Sequence, residues 1–113
     1  LALAQLENLT KKINEKKKLY DFYKNNLPSI GLELKEEPID TEWNYWLMCI
    51  KLQNKKDRDL FLKETNKNKI LTRPIWRLLF KLPMYKNCQR DSQKNAIYLE
   101  ERIVNIPSNI SYE

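Results

Sequence analysis

The side chains able to do chemistry in this 113-residue chain are few in kind. There is no histidine, one glycine and two cysteines. Without histidine, Ser-His-Asp and Cys-His machinery is excluded. Neither of the glycine-rich phosphate loops can be written around Gly31 alone. Cys49 and Cys88 lie 39 positions apart, whereas a zinc site needs four ligands at short paired spacings, so no metal site is expected. Cys49 sits in an apolar run and reads as a buried small hydrophobe. What remains is cation chemistry, from sixteen lysines and five arginines.

Among those cations Arg73 has the most suggestive setting, the stretch Thr72-Arg73-Pro74-Ile75-Trp76-Arg77 that runs on to Lys81-Leu82-Pro83-Met84-Tyr85. Pro74 disfavours helix at the residue before it, so Arg73 is expected to be extended, at the end of a strand over 69–73. Pro74 then opens a short helix over about 75–81, where its missing N–H costs little. Strand-to-helix junctions are common places for binding groups, and a guanidinium is a rigid, permanently charged fork for carboxylate or phosphate. The same spacing also suits a plain surface cation beside a core tryptophan. Arg77, one helical turn on, reads as surface.

The elements that must position these groups follow from periodicity. Leu6, Leu9, Ile13, Tyr20, Tyr23 and Leu27 recur at three- and four-residue steps, which predicts one amphipathic helix over 1–27. Lys16 alone interrupts the stripe and can snorkel. Such a helix would be about 40 Å long, more than the rest of the chain can cover. No capping residue precedes its first apolar positions, so it is expected to continue upstream. Pro28 ends it. A short strand at 32–35 follows, then a longer one from Trp43 to Leu52 whose two sides are both largely apolar, implying cover on both faces. A helix over 54–68 carries acids early and lysines late, as its dipole prefers, with Asn66 or Asn68 as the left-handed exit. Asp91 or Ser92 can cap a helix that turns Ala96, Ile97 and Leu99 inward, and Ile103–Ile106 is a last strand stopped by Pro107. The order α, β, β, α, β, short α, α, β describes an α+β, two-layer α/β domain: three or four strands packed with helices.

Net charge is +6, which admits nucleic acid or an anionic surface as a partner. Acids are interspersed among the bases, however, and the lysines accompany 12 asparagines and 10 isoleucines, the trio expected from A/T-rich coding. An alternative reading is nonetheless a small basic nucleic-acid-binding module, with lysines on phosphates and Trp43, Tyr45 and Trp46 stacking on bases. No apolar run approaches the roughly 18 residues of a membrane span, and the start lacks a signal-peptide pattern. A cytoplasmic location is expected.

The stretch around Arg73 also resembles the C-terminal domain of the DegT/StrS-type sugar aminotransferases. The likeness is greatest to the subgroup that aminates 4-keto nucleotide sugars for glycans such as legionaminic acid or bacillosamine. Three further segments agree in order: Leu3-Ala4-Gln5-Leu6-Glu7-Asn8-Leu9, Asn44-Tyr45-Trp46-Leu47 and Arg102-Ile103-Val104-Asn105-Ile106-Pro107-Ser108. Ala2 and Lys69 depart from the pattern, at places where glycine is usual. The resemblance implies a single domain over 1–113, the small domain of a fold-type-I pyridoxal-phosphate enzyme, with 1–27 a connecting helix and 28–113 the α/β unit. It implies transfer of an amino group from glutamate to a nucleotide-linked keto sugar, within a homodimer. The Schiff-base lysine and most cofactor contacts would lie in the large domain of the same chain, so no catalytic or cofactor-binding residue is expected here. Arg73 would meet the glutamate carboxylate or the sugar diphosphate, and Trp76 would wall a sugar ring. Asn44 and Tyr45 are further substrate-binding candidates.

Overall fold

In the computed structural model, which describes residues 2–110, four short strands form one sheet. They are β1 (Glu33–Leu34), β2 (Met48–Lys51), β3 (Arg73–Pro74) and β4 (Ile103–Ile106), in the order β1-β2-β4-β3 with every neighbouring pair antiparallel. The register places Leu34, Ile50, Val104 and Pro74 in one row and Met48 beside Ile106 in another. These rows form the core face: Met48, Ile50 and Val104 are each 0% exposed. Burying side chains of that size is worth about 1.5–3 kcal/mol each, so this row is the main local reason for the sheet.

Helices cover that face. The long helix α2 (Leu9–Asn26) follows a short α1 (Ala2–Glu7) and lays Tyr20 into the core, with Ile13, Leu19 and Tyr23 against it. Helix α3 (Lys55–Lys67) adds Phe61 and Leu62 to the same cluster. The expected two-layer mixture of helices and a small sheet is what the chain forms. Its first helix is divided, however. Asn8 leaves helical geometry at φ −102° and ψ 6°, and its side chain donates to the Ala4 carbonyl at 3.1 Å. An asparagine amide competes with the backbone in this way, which is why it breaks the helix. Leu6 and Leu9 lie at the break and remain exposed. The projecting helical arm gives a radius of gyration of 16.6 Å, against roughly 13 Å for a compact chain of this length.

Both helix exits use the same motif. After the 3₁₀ turn Leu27–Ile30, Gly31 adopts φ +76°, its N–H bonds the Pro28 carbonyl, and Leu32 N–H bonds Leu27. After α3, Lys69 adopts φ +62°, its N–H bonds the Asn66 carbonyl, and Ile70 N–H bonds Thr65. These are Schellman closures. The left-handed residue after α3 is therefore Lys69, not Asn66 or Asn68. At the other end of α3, Asn54 Oδ1 accepts from Asp57 N–H at 3.0 Å and its amide donates back to the Asp57 carboxylate at 2.8 Å, a reciprocal cap.

The other differences from expectation lie in the strands and turns. The strand expected over Trp43–Leu52 is regular only from Met48 to Lys51. Tyr45 takes φ +54°, which breaks the in-out alternation and turns Tyr45 inward and Trp46 outward. The strand expected over 69–73 shrinks to Arg73–Pro74, because Lys69 is spent on the helix exit. Pro74 does not open a helix. It sits in the edge strand β3, where a residue without an N–H does least harm. The helix expected over 75–81 is replaced by the 3₁₀ turns Leu79–Lys81 and Pro83–Tyr85. Helix α4 (Lys94–Glu100) follows Gln93 without a side-chain cap. Asp91 instead accepts from Gln93 N–H at 2.8 Å, and Leu99 stays exposed.

Candidate substrate-facing surface

Arg73 is extended, as expected, and pairs with Asn105 across the β3–β4 ladder. What fixes it is the residue before it. Thr72 is 4% exposed; its hydroxyl shares a 2.6 Å hydrogen bond with Thr65 Oγ1 and accepts from the Asn66 amide at 3.0 Å. The Asn66 amide also donates to the Thr72 carbonyl at 3.1 Å. The end of α3 is thereby bolted to the start of β3. Arg73 itself is exposed and forms no ion pair among the described residues.

Arg73, Asn105 and Cys49 are direct cross-strand partners and so share one side of the sheet, the side away from the core. Glu33, Lys51 and Ile103 form the next row on that side, with Lys51 and Glu33 paired at 2.8 Å. Cys49 and Lys51 are half-buried, so this chain covers the second face only in part. Burial pushes the Cys49 thiol up, against a smaller opposite pull from Lys35. It is therefore a poor thiolate, consistent with its reading as a small hydrophobe.

The flanks of β2 and β3 carry an exposed indole pair. Trp46 and Trp76 are 63% and 69% exposed, with ring centroids 6.1 Å apart and planes tilted by 47°. Trp46 lies two residues before β2 and Trp76 two residues after β3. Because β2 and β3 both run antiparallel to the β4 between them, straight continuation would send the two residues to opposite ends of the sheet. They meet because the Trp46 carbonyl stays beside Ser108, at the end of the sheet where β2 begins, while the irregular segment after Pro74 turns Trp76 back. That segment is held by Glu100, whose carboxylate accepts from Leu78 N–H at 3.3 Å and pairs with Lys81, while Arg58 donates to the Glu100 carbonyl. Burial alone would raise the Glu100 pKa, but Lys81, the Leu78 N–H and the nearby Arg58 charge together pull it below the ordinary value.

The other two sequence candidates divide. Asn44 is exposed, and its Oδ1 accepts from Trp46 N–H at 3.0 Å, an Asx turn that shapes the loop carrying Trp46. Tyr45 is 7% exposed and packs against Tyr20 and Trp43 with centroids 5.3 and 5.4 Å away, which makes it a core residue. Sequence reasoning placed Arg73 and Trp76 together but passed over Trp46, Asn105 and Thr72 as parts of the same surface. The register of β4 was the signal that would have found Asn105.

No lysine here is set up to hold a pyridoxal group. Lys16 is the part-buried one whose pKa burial lowers, and its ammonium is used on the Ser108 carbonyl at 2.6 Å. No chemical step is assigned to the lysines of this segment. Among the described residues no helix is long and apolar enough to cross a membrane.

The sequence profile of the DegT/DnrJ/EryC1/StrS aminotransferase family matches residues 1–112. A GDP-perosamine synthase of Escherichia coli O157:H7 is 30% identical over 110 residues, covering 96% of this chain and 29% of the relative. The fold matches the sugar aminotransferase CalS13 from Micromonospora echinospora with a TM-score of 0.80 at 22% identity, over 94% of this chain and 28% of that one. It also matches the PMP form of the sugar aminotransferase Spr1654 from Streptococcus pneumoniae with a TM-score of 0.81 at 21% identity, again over 94% and 28%. The chain thus spans under a third of the length of the proteins it matches.

Proposed function

The chain belongs to the DegT/DnrJ/EryC1/StrS aminotransferase family, and on that premise we propose that it works as the C-terminal small domain of a nucleotide-sugar aminotransferase. In this reading the enzyme moves an amino group from glutamate to a 4-keto nucleotide sugar used in surface glycans, in the cytoplasm and as a homodimer. Pyridoxal phosphate supplies the electron sink and is held by the large domain. This segment closes one side of the substrate cleft. Arg73 grips an anionic substrate group, and the Trp76–Trp46 pair forms an apolar wall beside it.

The observation that carries the reading is Arg73: exposed, free of an ion pair among the described residues, braced by the buried Thr72, and three residues before an exposed indole that pairs with a second. A guanidinium fixed at its base and open at its tip is suited to an incoming carboxylate or phosphate. Further exposed apolar residues, including Ile70, Leu71, Leu79 and Met84, are suited to cover by the large domain or a second subunit. Similarity to a GDP-perosamine synthase supports a nucleotide sugar as the acceptor. It lends no support to the narrower expectation of a legionaminic acid or bacillosamine precursor. The nucleic-acid reading loses its stacking ladder, since Tyr45 is buried and Trp43 half-buried.

The test is amination by the polypeptide that carries this segment with its large domain, offered glutamate and 4-keto sugars linked to GDP or to UDP. Glutamate-dependent appearance of an amino sugar nucleotide is expected. Turnover of simple keto acids alone, with every nucleotide sugar untouched, would overturn the proposal.

A further inference from the structure

Trp46 stands between two anchored residues, buried Tyr45 and Met48, but its own side chain has little to hold it. Its ring is 63% exposed, and regular strand β2 starts only at Met48. Two polar bonds fix its backbone. One, from Trp46 N–H to Asn44, is internal to the loop and cannot set where the loop lies relative to the sheet. The other comes from Ser108, whose hydroxyl donates to the Trp46 carbonyl at 3.1 Å. Ser108 is 9% exposed and follows β4 by two residues. Its own carbonyl accepts from the Lys16 ammonium of α2 at 2.6 Å, and the neighbouring Pro107 carbonyl accepts from the Tyr23 hydroxyl at 2.9 Å. The tail of β4 is thus tied to the helix on one side and to the Trp46 loop on the other.

We propose that Ser108, itself braced by Lys16, is a positioning residue that holds Trp46 against Trp76 and so sets the shape of the substrate wall. What the wall is used for rests on the function proposed above; how it is held does not. Removing the hydroxyl leaves the Trp46 carbonyl without its only non-local partner among the described residues; buried Tyr45 and Met48 still anchor the chain on either side, but the Trp46 peptide can then turn between them and re-aim the indole. Lys16→Met retains the stem and removes the ammonium, and so loosens the same tie one step back.

Two indoles at 6.1 Å and 47° couple their transition dipoles and give an exciton couplet in circular dichroism. The couplet is measured on the whole chain and assigned with Trp76→Phe, which abolishes it. Ser108→Ala is expected to reduce it by at least half with the helical signal unchanged. Ser108→Thr, which keeps the hydroxyl, is expected to recover most of it. Tyr23→Phe removes a bond of similar setting that does not reach Trp46 and is expected to leave it intact. An unchanged couplet in Ser108→Ala, or equal losses in Ser108→Ala and Tyr23→Phe, would overturn the proposal. If Ser108→Ala does not fold, Lys16→Met carries the same test with the same two outcomes. In the active polypeptide, Ser108→Ala is expected to raise KM for the nucleotide sugar about 3- to 10-fold, the range of one lost hydrogen bond, with the glutamate KM unchanged. A lost couplet with an unchanged sugar KM would leave the brace standing and remove the wall from the proposed function.

Discussion

Lys69 occupies a position that its side chain does not favour, and replacing it should stabilise the protein. Its φ of +62° is the left-handed conformation at the C′ position of a Schellman closure, with Ile70 N–H bonding Thr65 and Lys69 N–H bonding Asn66. For a residue with a Cβ this conformation costs roughly 1–2 kcal/mol, from the close approach of Cβ to the following carbonyl. Glycine avoids that cost but loses about 0.5–1 kcal/mol through the freedom of the unfolded chain. The difference leaves Lys69→Gly more stable by up to about 1.5 kcal/mol, with about 1 kcal/mol a central value. For a domain of this size that raises Tm by about 4 °C or slightly more. Lys69→Ala removes the charge and keeps the Cβ, so it should change stability by less than about 0.5 kcal/mol. Urea unfolding of the three proteins, compared by midpoint at constant slope, measures both effects. A Lys69→Gly protein no more stable than Lys69→Ala would refute the reasoning.

The mirror substitution is Gly31→Ala. A Cβ there would meet nothing within 4 Å, so the loss comes from the φ of +76° alone and, less the smaller freedom of the unfolded chain, should be up to about 1.5 kcal/mol by urea unfolding. Glu100 gives a pH dependence. Its pKa is held below the ordinary value, so its contribution is complete above the normal carboxylate range and is lost as pH falls through the lowered value. Glu100→Gln should cost about 1 kcal/mol at neutral pH, and its stability should fall less steeply on acidification than that of the parent. Incubation of this chain with pyridoxal phosphate, followed by borohydride reduction and mass mapping, should label no single lysine stoichiometrically, because none here is buried in a suitable site.

The apolar rows that make the sheet were readable from local pattern, and Ile103–Ile106 was read to the residue. The α3 helix was equally plain, since Asp57 and Asp59 come early in it and Lys63 and Lys67 late. What escaped was set by single backbone residues. Tyr45 and Lys69 take positive φ values that neither side chain advertises, and each shortens an expected strand. Asn8 divides the first helix through one side-chain hydrogen bond. The candidate surface was half legible for the same reason. Arg73 and Trp76 are close in sequence, whereas Trp46 meets Trp76 only because the chain after Pro74 turns back, and Asn105 joins Arg73 only through the register of β4. The family resemblance marked Lys69 as a place where glycine is usual, and there the backbone adopts the conformation that glycine favours.

The central claim is that the surface around Arg73 grips an anionic substrate, and the kinetics of Arg73→Ala in the active polypeptide test it most directly. Loss of a charge-assisted contact is worth roughly 1.5–3 kcal/mol, or about a 10- to 150-fold fall in kcat/KM for the substrate concerned. The fall should appear in one half-reaction only. A higher KM for glutamate alone places Arg73 at the donor carboxylate, and a higher KM for the nucleotide sugar alone places it at the diphosphate. Arg73→Lys should recover part of the activity, since it restores charge without the fork. Unchanged kinetics in both half-reactions, with only a lower Tm, would contradict the account and make Arg73 a structural residue of the β3 edge.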